Sequence, residues 1–158
     1  MMFLPLRLLG FFLMVGSGAG VGMTLYWQKR ESWRQIRCFV NFLEYLLLAI
    51  RYQAVPGEEL LYQASLRPEF AVLHLQACET FAQIPPPSGL TEGAKAELTR
   101  GLAQLAEIPH EAACRTLEQL LALCRGYETE ASRIASQARV LYPKLGFCLG
   151  LMAAIFFA

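Results

Sequence analysis

The sequence predicts an all-α protein, a cytoplasmic helical bundle set between an N-terminal and a C-terminal transmembrane helix. Three observations predict it. An apolar run from Phe3 to Trp27 holds one charged side chain, Arg7; apolar residues recur at helical spacing through most of the middle; and a second apolar run extends from Leu145 to Phe157. No stretch shows the strict apolar–polar alternation of a half-buried strand, and no internal repeat is visible.

The first run is long enough for its task, because a helix rising about 1.5 Å per residue needs about 20 apolar residues to cross the hydrocarbon. It ends abruptly at QKRESWRQIR, where Lys29, Arg30, Arg34 and Arg37 face only Glu31. Lys and Arg within about 15–20 residues of a membrane segment resist translocation, so this flank is expected in the cytoplasm and Met1 outside. A cleaved signal peptide is the rival, with Arg7 as n-region, Leu8 to Val15 as apolar core and Ser17-Gly18-Ala19 as cleavage site. The cationic cluster just beyond that site opposes export.

At 158 residues, 55% hydrophobic and with mean hydropathy +0.36, the chain is more apolar than an ordinary water-soluble domain. The expected division is a transmembrane helix over 1–27, a cytoplasmic helical domain over 28–142 with a linker at 85–89, and a C-terminal transmembrane segment over 143–158. A net charge of +1 gives no global field for nucleic acid, and the local basic residues follow from topology. The five cysteines, Cys38, Cys78, Cys114, Cys124 and Cys148, contain no C-x-x-C pair and read as reduced thiols packed as small hydrophobes.

From Gln28 to Ala54 no proline or glycine interrupts the pattern, so the first helix is expected to continue as one rod. Ile36, Phe39, Val40, Leu43, Leu46, Leu47 and Ile50 form its apolar stripe, widened by Phe42, Tyr45, Ala49 and Tyr52. Arg34, Arg37, Asn41, Glu44 and Arg51 are left for water. Val55-Pro56-Gly57 stops the rod. A short helix over Glu58 to Leu66 follows, then one from Pro68 carrying Phe70, Val72, Leu73, Leu75, Phe81 and Ile84. Pro85 to Gly89 reads as a stiff linker. Thr91 caps a helix through Leu98, Leu102 and Leu105. Pro109 opens a long helix reaching Tyr142, with Arg115, Glu118, Arg125 and Glu128 turned away from its apolar face, and Pro143 is expected to kink it. Lys144 marks the second membrane boundary, and both termini then lie outside.

Glycines in the two apolar ends share a four-residue spacing, Gly16 with Gly20, Gly18 with Gly22, and Gly146 with Gly150. Such spacing lets helix backbones approach closely, so the two segments are expected to pack on each other or on a membrane partner. A homo-oligomer is compatible with the same faces. His74 with Cys78 and His110 with Cys114 form two i, i+4 pairs that would supply a zinc set if two helices met, but both cysteines also fit apolar helix faces, and packing is the expected role. Phosphate-loop, zinc-protease and nucleophile-elbow motifs are missing. Glu58-Glu59 and the Glu128/Glu130 pair point to different sides of a helix and read as solvated faces. No catalytic, cofactor or metal residues are expected.

RQIRCFVNF, the run to Ile50-x-Tyr52-x-x-x-Pro56, and the tail Tyr142-Pro143-Lys144-Leu145-Gly146-Phe147-Cys148-Leu149-Gly150-Leu151 resemble the stage III sporulation protein AB family. Leu8-Leu9-Gly10 is also similar. Leu47 and Ala49 stand where that family's central motif is acidic. The resemblance implies a mother-cell membrane protein of the secretion-like channel complex joining mother cell and forespore. Its helical domain would be similar to platform protein F of type II secretion, and its partners would be other channel subunits and a cytoplasmic ATPase.

A non-enzymatic scaffold is therefore expected. Lys29, Arg30, Arg34, Arg37 and Lys144 would sit at the headgroups, Gly16, Gly20, Gly146 and Gly150 would pack membrane helices, and Glu44 with Arg51 would mark a partner face. The alternative is an extracytoplasmic helical binding protein, exported by a signal peptide and tail-anchored.

Overall fold

A computed structural model of the chain describes the backbone of residues 3–53 and 56–157, and side chains over the same ranges except 3–9, 11, 12, 14, 15, 154 and 157. Every regular element among them is helical. Four α-helices occur in order: α1, Phe3–Gln53; α2, Gly57–Ser65; α3, Glu92–Gln104; and α4, His110–Phe157. The chain divides into two compact units, one of residues 32–131 and one of residues 1–31 with 132–158. Both long helices contribute to each unit.

The 32–131 unit follows the rule for a domain in water. Its apolar stripe on α1 is buried, with Ile36, Phe39, Phe42, Leu43 and Leu46 at 1% exposure or less. Leu60 of α2, Leu98 and Leu102 of α3, and Leu117 and Cys124 of α4 complete the core. Phe42 meets Phe39 and Phe70 edge to face, with centroids 6.0 and 5.6 Å apart. Leu120 of α4 lies over Gly101 of α3, where a β-carbon would come within 2.8 Å of its Cδ1, so this pair of helices approaches closely. The widened stripe stops short of its expected extent, since Tyr52 is exposed.

Between α2 and α3 the expected helix from Pro68 is not formed. Three short 3-10 turns replace it, Pro68–Leu73, Leu75–Ala77 and Phe81–Gln83. Its apolar residues do not keep a 3.6-residue period, and separate turns bury Phe70, Leu73, Leu75 and Phe81 individually. His74 takes a left-handed conformation, φ 50°, where the first turn ends. The Pro85–Gly89 linker is pinned to α1: the Ser88 hydroxyl donates to Gln35 Oε1 at 2.8 Å, and a β-carbon on Gly89 would collide with Ile36.

The other ends behave as local chemistry requires. The Thr91 hydroxyl accepts from the Ala94 amide at 3.4 Å, capping α3, and is also hydrogen-bonded to Tyr127 at 2.8 Å. Pro109 precedes α4, which runs through Pro143 to Phe157 as one helix. At the C-terminal turn of α1, His110 Nε2 meets the Ile50 carbonyl at 2.6 Å.

Among the described residues no helix is long and apolar enough to cross a membrane. On α4 the apolar run beyond Lys144 covers about 20 Å as a helix, against about 30 Å of hydrocarbon. On α1 much of the apolar run from Phe3 to Val15, Arg7 included, lies outside the described side chains.

Candidate functional site

In the unit of residues 1–31 and 132–158, α1 and α4 run antiparallel and touch backbone to backbone. A β-carbon at Gly18 would lie 2.6 Å from the carbonyl oxygen of Gly146 and 3.3 Å from Gly150 Cα. At Gly22 it would lie 2.5 Å from the Tyr142 carbonyl oxygen, and at Gly146 it would strike the Gly18 carbonyl. Real β-carbons do not come so close to backbone, and backbone cannot swing aside as a side chain does. Only glycine fits these three places.

Of the two interleaved glycine registers on α1, the seam uses Gly18 and Gly22. A β-carbon at Gly16 or Gly20 would meet nothing among the described residues within 4 Å beyond its own stretch of helix. Two residues along a helix is a turn of about 200°, so a seam built on 18 and 22 carries 16 and 20 to the opposite side. Gly146 and Gly150 are both in the seam.

The surface of this helix pair reverses the ordinary order. Every buried residue among its described side chains is glycine or alanine: Gly22, Ala135, Ala138, Gly146 and Gly150. Large apolar residues point outward instead, among them Leu13, Val21, Trp27, Leu149, Met152, Ile155 and Phe156. Lys29, Arg30 and Lys144 are exposed, as are Arg34 and Arg37 in the other unit. The Arg37 guanidinium stands 5.4 Å from the centroid of the Trp33 ring, whose buried indole N–H has no hydrogen-bond partner among the described residues.

Glu44 and Arg51 reach across to α4. Arg125 donates to Glu44, and Arg51 donates to Glu118, which raises the Arg51 pKa further. Glu118 and Arg125, expected to turn away from the core, therefore tie the two helices together at the surface. All four side chains stay between 40% and 58% exposed, so the pairs are solvated brackets around exposed Leu48. No signal in single-helix periodicity reveals such a link, since it depends on which helices become neighbours.

The cysteines are separate thiols. Burial pushes Cys124 up to about 12, and burial also raises Cys38, an effect that Arg34 partly opposes. Cys38 donates to the Glu69 carbonyl at 3.2 Å. His74 and Cys78 do not share a helix face, because His74 ends one 3-10 turn and Cys78 is extended. His110 is engaged with Ile50, and no three His, Cys, Asp or Glu side chains among the described residues gather as a metal site. Compared with protein-family models, with curated proteins and with solved structures, the chain matches none.

Proposed function

We propose that this chain is a non-enzymatic scaffold, inserted in the cell membrane through the paired ends of α1 and α4, that holds a helical domain in the cytoplasm for a partner. One observation carries the reading. The helix pair has small residues inside and large apolar residues outside, the arrangement suited to a lipid surround, in which side-chain packing and not water exclusion joins helices. An apolar surface of this kind in water marks an interaction site. Trp27 beside Lys29 and Arg30, and Tyr142 beside Lys144, supply the aromatic and basic residues that favour a membrane–water boundary. Lys144 has a stem long enough to carry its charge toward headgroups.

The resemblance to the stage III sporulation protein AB family supplies the rest of the reading. It gives a mother-cell channel complex, other channel subunits as neighbours, and a cytoplasmic ATPase as the docked partner. Glu44, Leu48 and Arg51 form the face assigned to it.

Sodium carbonate extraction of membranes tests the insertion. The chain is expected to remain in the pellet and to leave it only with detergent; release by carbonate alone would refute insertion. Cys148 sharpens the result, since it is exposed on the helix pair. A membrane-impermeant maleimide is expected to label it only after denaturing solubilisation. Mass spectrometry of the N-terminus separates this reading from export with signal cleavage, and co-purification from detergent-solubilised sporulating cells tests the ATPase.

A further inference from the structure

We propose that the 32–131 unit carries, beside the C-terminal turn of α1, a docking groove for a protein segment that presents one or two large apolar side chains flanked by lysine or arginine. The proposal rests on the scaffold reading for the existence of a partner, and names that partner's chemistry.

The groove has a volume of about 410 Å³ and opens to solvent. It exists because several elements end there: the last turn of α1, the first turns of α2 and α4, and the residues following α3. Helix ends cannot interdigitate as the sides of helices do, and they leave a space that side chains line without filling. The floor is apolar, formed by Leu60, Leu61, Phe81, Leu105 and Ile108. Two contacts hold its walls. His110 meets the Ile50 carbonyl, and the Phe81 ring lies against Gly57, where a β-carbon would stand 2.9 Å from Cε2.

Charge at the rim selects the occupant. Glu58 and Glu79 line the groove, no lysine or arginine does, and neither carboxylate is paired among the described residues. The positive N-terminus of α2 accounts for Glu58 without any ligand. It does not account for Glu79, which lies outside every helix. Arg51, the basic side chain at the end of α1, is engaged by Glu118. An apolar floor under unpaired carboxylates fits an apolar anchor with cations beside it, and like charge at the rim turns away an acidic segment.

Two photo-cross-linking hexapeptides test this on the full chain in nonionic detergent. One is Lys-Lys-benzoylphenylalanine-Leu-Lys-Lys, and its twin carries Glu at the four charged places. The lysine peptide is expected to label groove residues roughly fivefold or more above the twin, with sites located by mass spectrometry. Combined Glu58→Lys and Glu79→Lys substitution is expected to reverse the preference. Ala106→Trp, at an exposed lining position, fills the groove and is expected to abolish labelling with the charges intact. Equal labelling by both peptides, labels outside the groove, or a preference that survives charge reversal would overturn the proposal. Carbonate extraction of the same preparations reads membrane insertion separately, so failure of the scaffold reading and failure of the groove are told apart.

Discussion

The 32–131 unit hides large side chains and shows charged ones; the 1–31 and 132–158 unit hides glycine and alanine and shows leucine, phenylalanine and methionine. The same two helices supply both arrangements. Water rewards removal of apolar area, so bulk goes inward. Where the surroundings are themselves apolar that reward disappears, and helices associate by close backbone approach. The proposed membrane insertion therefore rests on which residue size is buried, and not on the apolar content of either helix.

The sharpest way to break this contrast is to reverse the direction of substitution. Enlarging a seam glycine, Gly18→Ile or Gly146→Ile, is expected to separate the helix pair altogether, read as lost protease resistance of both ends in detergent. Gly16→Ile and Gly20→Ile, at open positions, should leave resistance unchanged. In the 32–131 unit the damaging direction is the opposite one. Phe39→Ala is expected to cost about 3–5 kcal/mol and Leu98→Ala about 2–5 kcal/mol, measured by denaturant titration of the full chain. A seam that tolerates isoleucine at Gly18 would end the comparison.

Smaller effects refine the picture of the 32–131 unit. Burial holds the Cys124 thiol protonated up to about 12, against 9.0 for an exposed thiol. The unfolded chain therefore releases this proton first as pH rises. The associated stability is complete below about pH 9 and declines toward about pH 12, at no more than about 1.4 kcal/mol per pH unit. The stability difference between wild type and Cys124→Ala is expected to narrow over that window. Smaller still are the brackets on α1. Arg125→Ala or Arg51→Ala should lower stability only slightly, and less again at high salt, because the pairs are half exposed.

Much of the fold was legible from residue spacing. The stripe from Ile36 to Ile50, the stop at Pro56-Gly57, the Thr91 cap and the Pro109 start each depend on local chemistry, and local chemistry is what a sequence displays. The 68–84 segment was not legible as built. Its apolar residues suggest a helix only by abundance, and the decisive event is a left-handed backbone at His74, a position no glycine announces. Proline at 143, expected to kink the helix, lies inside α4, which continues to Phe157. The candidate sites divide in the same way. Four-residue glycine spacing announced a seam, but choosing between 16/20 and 18/22 needs the rotation of α1 about its axis, which is set by the neighbour. The Glu44–Arg125 and Arg51–Glu118 links, and the groove at Glu58 and Glu79, arise between segments distant along the chain and leave no trace in any one of them.

The seam also limits how this molecule can change over generations. Any other amino acid in place of glycine adds at least a β-carbon, and at 18, 22 and 146 that atom meets backbone. Drift there has no intermediate step, so relatives of this chain are expected to keep glycine at those three sites while wandering freely at 16 and 20.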